Sequence, residues 1–441
     1  MIKSNWSLGL LMFAAIGSAQ VTQAQKKIEQ KEVQRIINTL AADDMEGRGT
    51  FTPGIDRASV FIENEFKKAG LQFLPGLDTY KQQFFVQSIS PVSQQVTVDN
   101  NTIGENDMLF FSNATDVNWT QESGVTVKTY DGDDAPRSIY VASRGKTNTV
   151  VFFPAKYKAN FQKLKEMLGH GGGGSLSMEG GPEKPVVTTI GVLLPEGQAA
   201  PTNWTLKIQQ AKERKALNNV VGIIPGTSKK EEMVVFSGHY DHLGIVHNEH
   251  ATDTIANGAD DDASGVTAVI TLANHYKNTK PARTLVFVAF TAEEIGGYGS
   301  QYFSKQLDAD KVVAMFNIEM IGKESKFGVN SAFITGYERS DFGKILQKNL
   351  EKSIFKFHPD PYPEQNLFYR SDNATLARLG VPAHTISTTQ IDKDKFYHQV
   401  TDEVSTLDVK NITDIIKAIA VSAQSIVNGT DTPTRIEKLE R

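Results

Sequence analysis

From about Leu217 onward the chain alternates near-continuous apolar runs with stretches of 3.6-residue periodicity, and this alternation limits the possible folds more than any other feature. The apolar runs are Asn219–Ile224, Met233–Ser237, Thr284–Phe290, Val312–Ile318, Ala332–Thr335 and His384–Ser387. Between them Val266, Val269, Ile270 and Ala273 mark one helix face, Phe342, Ile345, Leu346 and Leu350 mark another, and a last helix runs from about Val409 to Val427. Strands that are apolar on both sides must be covered on both sides, so the expected core is a sheet buried between helices. In such folds ligands gather at the carboxyl ends of the strands.

The rest of the 441 residues allows one or two further units. Residues from Glu29 to Gly70 read as helical, with Ile36, Ile37 and Leu40 on one face and Ala58, Phe61, Ile62, Phe66 and Ala69 on another, and Gly70 as the stop. From about Pro91 to Pro201 the text becomes β-rich, with runs such as Ser138–Ala142 and Thr149–Phe153 and a glycine tract at 171–174 that reads as a loop. The chain therefore divides into a signal peptide at 1–24, a first part of the main domain at 25–90, a small inserted β-rich domain at 91–205, and the main part at 206–441.

The signal peptide is read from Lys3 ahead of the apolar run Leu8–Ile16 and the small residues through Ala19 and Ala24, either of which suits cleavage. That run is too short to span a bilayer, which takes about 20 residues, and no later segment approaches that length. A buried N-terminal helix is the alternative. The expectation is an exported, soluble protein, periplasmic or secreted, with no integral membrane segment once the signal is removed. The 46 Lys and Arg face 51 Asp and Glu without any long basic block, so nucleic acid is not an expected partner. There is no cysteine, which excludes disulfides, thiol nucleophiles, cysteine-ligated zinc and iron–sulfur clusters. Any metal must rest on His, Asp and Glu.

Those residues cluster at the strand ends. Met233–Ser237 runs into Gly238-His239-Tyr240-Asp241-His242, where a period of two points His239 and Asp241 the same way, as for an imidazole ligand steadied by a carboxylate. A solvated polar turn is the competing reading, and His242 is assigned to it. Asp260-Asp261-Asp262 opens the helix at Val266; N-capping or solvation accounts for Asp260 and Asp262, but three adjacent carboxylates repel one another and a cation would offset that. Thr284–Phe290 leads to Glu293-Glu294, where adjacent side chains point apart, so that one can bind a metal while the other transfers a proton. Glu319 follows Val312–Ile318, and His398 stands late in Phe396-Tyr397-His398-Gln399.

In this order the residues resemble the two-zinc exopeptidases, the family of aminopeptidase Y, the bacterial leucyl-type aminopeptidases, glutamate carboxypeptidase and the glutaminyl cyclases. The resemblance rests on His-X-Asp, an Asp-Asp-X-Ser-Gly helix start, a Glu-Glu pair, an acid after Asn-X and a late Tyr-His. It implies a three-layer α/β/α zinc-exopeptidase fold with a mostly parallel, mixed central sheet. It also implies two Zn2+ ions, with cobalt or manganese as substitutes: His239 and Glu319 on one, Glu294 and His398 on the other, and Asp261, four residues before Gly265, bridging both. Glu293 becomes the general acid/base and Asp241 the support of His239. The segment Leu40–Gly49 is similar to one that precedes a helix in bacterial members and is expected beside the catalytic sheet, while the insert at 91–205 stands where relatives carry a protease-associated domain. Ser371-Asp372-Asn373 differs from the family's Ser-Asp-His in its third residue, and Glu319 stands where many aminopeptidases have Asp. The resulting expectation is an aminopeptidase acting on peptides. A carboxypeptidase, a glutaminyl cyclase and a metal-free binding relative are the alternatives, and the sequence leaves side-chain preference and oligomeric state open.

Overall fold

The computed structural model describes residues 28–132, 147–169, 175–181, 187–246 and 253–439. The segment read as a signal peptide, the expected strand Ser138–Ala142 and the glycine tract at 171–174 lie outside them. The chain divides into two compact units, one of Met1–Gln83 with Asn218–Arg441, the other of Phe84–Leu217. The division thus falls at 84 and 217 rather than at 91 and 205. The chain passes between units inside two long strands, Lys81–Val98 and Trp204–Ile224, so no turn residues mark the crossing.

The larger unit opens with helices α1 (Gln30–Leu40) and α2 (Pro53–Ala69). Helix α2 starts with Pro53 in its first turn and stops at Gly70, whose φ of 70° is the left-handed cap expected of it. There follow β1 (Trp204–Ile224), β2 (Lys229–His239), α3 (Gly265–Tyr276), β3 (Arg283–Phe290), α4 (Tyr298–Gln306) and β4 (Val312–Ile318). The unit closes with β5 (Ser331–Ile334), α5 (Phe342–Asn349), β6 (Lys356–Pro359), β7 (Ala383–Ser387) and α6 (Val409–Ser422).

The strands order as β6-β5-β7-β4-β2-β3-β1. Neighbours β3, β2, β4 and β7 run parallel, while β1 joins β3 and β5 joins β7 antiparallel, so the sheet is mixed and mostly parallel. Period-two alternation divides its side chains between two cores. Val234, Phe236, Leu285, Phe287 and Phe316 face one, closed by Val33, Ile62, Val269 and Ile416 from α1, α2, α3 and α6. Val235, Val286, Val288 and Met315 face the other, closed by Phe303 of α4 and by Leu376 and Ala377. Helices cover both faces, and the three layers follow from strands such as Thr284–Phe290 having no polar side.

The smaller unit carries a four-stranded sheet in the order Met108–Phe111, Thr189–Leu193, Thr149–Phe153, Thr126–Thr129. The helix Lys158–Gly169 lies on it through Phe161 and Leu164 against Phe153 and Leu193. This unit is β-rich, with one helix of more than a single turn among its described residues.

Candidate metal centre

Parallel pairing brings the strand ends into line. His239 is level with Phe290 and Ser237 with Asn317, so the chain leaves β2, β3 and β4 on the same edge, carrying His239, Glu293, Glu294 and Glu319. Ala292, Met320 and His398 are non-glycine residues with positive φ (58°, 53° and 57°), which turns the backbone sharply before Glu293, after Glu319 and at His398 itself.

The opening segment is tied to this edge by a fully buried arginine. Arg48 donates to the carbonyls of Leu40 (2.7 Å), Tyr240 (2.8 Å), Asn257 (2.6 Å) and Gly258 (2.9 Å), joining the end of α1 to the loops that carry His239 and Asp261. Burial pushes its guanidinium pKa down, against the pull of Asp241, Asp261, Asp262 and Asp402. Gly47 makes the approach possible, because a Cβ there would lie 2.4 Å from the Ala256 carbonyl.

At the centre stands Asp261, 2% exposed and joined to Asp262 by a cis peptide. Its Oδ1 lies 3.0 Å from His239 Nε2 and its Oδ2 lies 3.3 Å from His398 Nε2, so the two carboxylate oxygens face different imidazoles. Its backbone is fixed by Asp402, whose Oδ2 accepts the amides of Asp260 (3.0 Å) and Asp261 (3.1 Å). Burial alone would raise the Asp261 carboxyl, but His239 and His398 hold it well below the usual range. Correspondingly, Asp261 and Glu294 outweigh burial and lift His398 to about 10.

Around Asp261 the structure gathers His239 with Glu319, His239 with Glu293 and Glu294, and His242 with Glu294, each group with potential ligand atoms within 4.8 Å of one another. His398 Nε2 is 3.2 Å from Glu294 Oε2, and Tyr397 stacks on its ring at 3.9 Å. All five residues expected as ligands therefore lie in one cluster, with Glu293 beside them. Burial is also the main reason that the carboxyls of Glu293 and Glu319 are raised, the latter to about 7. Ser371 donates to Glu319.

Two side chains depart from the sequence reading. Asp241 does not hold the His239 ring with its carboxylate, which lies 3.8 Å from Nδ1; the Asp241 carbonyl does so at 3.1 Å. Strand β2 ends at His239, so the period of two lapses, and the Asp241 carboxylate instead accepts the amides of Glu293 (3.0 Å) and Glu294 (3.2 Å). It thereby positions the glutamate pair. The second departure is His242, which is 2% exposed rather than solvated, with Nδ1 2.8 Å from Glu294 Oε1 and 3.9 Å from Asp261 Oδ2. Its signal was present in His-Tyr-Asp-His, but only the tertiary fold buries it.

Asp260 and Asp262 are buried too. Asp262 accepts the amides of Gly265 (2.9 Å), His239 (3.1 Å) and Met320 (3.2 Å), which is capping of α3 extended to two strand ends. Asp260 meets Lys323 Nζ at 2.8 Å, and the same amine reaches Asp394 at 3.1 Å and Asp402 at 3.7 Å. Because His398 lies between Asp394 and Asp402, Lys323 anchors the loop that carries it.

The donor set fits a metal. The Nδ1 of His239 faces a carbonyl and that of His242 a carboxylate, which places the proton on Nδ1 and leaves Nε2 with its lone pair. Both Nε2 atoms are buried without a hydrogen bond. Imidazole nitrogens and carboxylate oxygens in this proportion are the ligands of zinc.

Residues 219–423 match the model of peptidase family M28. A probable zinc metalloprotease of Leptosphaeria maculans is 32% identical over 111 residues, 25% of this chain and 25% of that protein. Aminopeptidase Y of Saccharomyces cerevisiae is 25% identical over 264 residues, 56% of this chain and 48% of that protein. Thus the chain spans about a quarter to a half of the length of these curated relatives. Among solved structures, an aminopeptidase from Aneurinibacillus sp. strain AM-1 superposes with a TM-score of 0.57 at 17% identity, covering 95% of this chain and 97% of that one, and so has the same fold.

Proposed function

We propose that the chain is an exported aminopeptidase that removes N-terminal residues from peptides with the aid of two zinc ions. The observation that carries this is Asp261, whose two oxygens face two different imidazoles at 3.0 and 3.3 Å, the disposition of a carboxylate shared by two cations. His239 and Glu319 complete one set of donors, Glu294 and His398 the other, with His242 available beside Glu294. The family match of residues 219–423, together with the curated relatives, supports peptide hydrolysis.

Divalent ions held by these residues would supply Lewis-acid polarisation of the scissile carbonyl and would lower the pKa of a bound water towards about 7. The chain supplies the rest. Glu293, adjacent to the donor set and fixed by the hydrogen bond that its backbone amide donates to the Asp241 carboxylate, takes the proton of the attacking water and delivers it to the leaving amine. Asp241 sets the direction of both glutamates by holding their amides. Arg48 and Lys323 fix the loops that bear Asp261 and His398.

The test is to incubate zinc-loaded protein with a mixed peptide library and read product masses, with a chelated sample beside it. Stepwise loss of N-terminal residues that stops with chelator is the expected result. Loss of C-terminal residues, or of ammonia from N-terminal glutamine, would replace the proposal with a carboxypeptidase or a cyclase. Inertness in a protein that takes up no metal would leave a binding protein. Export rests on the Lys3 to Ala24 layout, and N-terminal sequencing of the mature protein that begins at Met1 would refute it.

A further inference from the structure

We infer that the subsite for the residue cleaved from the substrate takes an acidic side chain, glutamate foremost, and that Arg370 selects it. This rests on the aminopeptidase reading above and concerns which N-terminal residue is accepted. A cavity of about 60 Å³ opens directly on the metal centre. One of its walls is Glu319, and another is Tyr397, whose ring stacks on His398, so a side chain inside it belongs to the residue at the scissile bond.

The walls are apolar where a side chain's methylenes would pass, through Phe333, Leu367 and Ile391. Two groups make the cavity something other than an aliphatic pocket. Arg370 lines it, and among the described residues no carboxylate or carbonyl engages its guanidinium. Thr389 lines it as well, 5% exposed, and its Oγ1 is buried without any hydrogen-bond partner. The neighbouring hydroxyls are already committed: Thr385 donates to Asn373 Oδ1 at 2.9 Å and Ser387 to the Met320 carbonyl at 3.1 Å.

An exposed guanidinium with no protein partner among the described residues and an orphaned hydroxyl on one partly apolar cavity suit a ligand with a short methylene stem and a carboxylate at its tip. A planar guanidinium binds a carboxylate through two parallel hydrogen bonds, and the buried hydroxyl gains the partner it lacks. Glu319 is the one acid on these walls; it is held by Ser371 and, in the aminopeptidase reading, by a cation, so its charge is not left to repel the substrate.

The experiment uses the zinc-loaded full chain and a series of peptides that differ only in an N-terminal Glu, Gln or Leu, for the wild type, R370Q and R370K. The wild type is expected to favour Glu. In R370Q the ratio of kcat/KM for Glu over Gln should fall about 10- to 100-fold, the range set by a charge-assisted hydrogen bond, with partial recovery in R370K. A wild type that favours Leu, or a Glu/Gln ratio unchanged in R370Q, overturns the inference. An Arg370-dependent release of C-terminal residues from N-acetylated peptides overturns it as well, because the guanidinium would then hold the α-carboxylate. Calorimetric binding of free glutamate and glutamine separates the two levels of the argument. If no peptide is cleaved, the aminopeptidase reading fails, while glutamate binding that is lost in R370Q still supports the subsite and equal or absent binding refutes it.

Discussion

The imidazole of His384 offers a direct test of how burial controls charge in this fold. His384 lies in β7, fully buried and level with Phe316 of β4. Its Nδ1 is 2.8 Å from the Thr335 carbonyl, which can only accept, so Nδ1 carries the proton and Nε2 accepts from Ser340 Oγ at 2.7 Å. Phe342 stacks on the ring at 4.9 Å. Burial lowers its pKa from 6.5 to about 4, with Arg339 adding to the effect and the Thr335 carbonyl opposing it. Because the folded value is depressed, the unfolded chain binds the extra proton first. The stabilising contribution is complete above pH 6.5 and is lost as pH falls towards 4. A gap of about 2.5 units at 1.36 kcal/mol each corresponds to roughly 3 kcal/mol across that window. Urea unfolding of wild type and His384→Gln, both under chelator, at steps from pH 7 to pH 4 measures it, since every other titration is common to the two proteins. The wild type should lose about 3 kcal/mol more than the variant over the window. Parallel stability curves would show that the ring is not held neutral. The consequence reaches the site, because β7 also carries Thr385 and Ser387 to the cavity beside Glu319.

Four further outcomes follow from the site. Glu293→Gln should reduce peptide hydrolysis by about 10²- to 10⁴-fold while zinc content, read by atomic absorption, is unchanged; loss of zinc would make Glu293 a ligand instead. Asp261→Asn should weaken zinc binding in both sets of donors, and a titration that still shows two tight ions would end the bridging assignment. Lys323→Met leaves Asp260, Asp394 and Asp402 without their shared cation and should cost about 3–5 kcal/mol in urea unfolding; an unchanged midpoint would show that these acids are satisfied without it. His242→Ala removes the 2.8 Å partner of Glu294 and should lower zinc affinity about 10- to 100-fold, whereas an unaltered titration would make His242 a packing residue.

The elements that could be read from the sequence were those whose burial is uniform. Thr284–Phe290 and Val312–Ile318 show no polar face, and both appear as strands covered on two sides. His239, Glu294 and Glu319 were legible as a group for the same reason, since an acid or a histidine just past such a run must sit at a sheet edge, whereas Asp261 and His398 were placed with them by the family resemblance. What escaped depends on residues far apart in the chain. Nothing near His242 indicates burial; it arises because Gly258, from another loop, approaches so closely that a Cβ would lie 2.5 Å from the imidazole. Arg48 stands in a segment expected beside the sheet, but nothing in the sequence names its four carbonyl partners, which include positions some 200 residues away. The direction of Asp241 failed because alternation holds only while the strand continues, and β2 ends two residues earlier.

The distribution of the protein's own cations explains why the centre calls for foreign ones. Lys323 is paired with Asp260 and Asp394 and reaches Asp402, and Arg48 is consumed by four carbonyls, so these two permanent positive charges serve the outer ring of the cluster. The inner ring has Asp261, Glu293, Glu294 and Glu319 gathered around His239, His242 and His398. Buried carboxylates at such spacing either take up protons or gain counter-charges, and the upward shifts of Glu293 and Glu319 are the first of these outcomes. Divalent ions produce the second. They would need an Nε2 lone pair on His239, which the partner of its Nδ1 already secures, and they would leave Glu293 ionised and able to accept a proton. A cluster balanced by lysine or arginine from within would gain stability and lose this capacity.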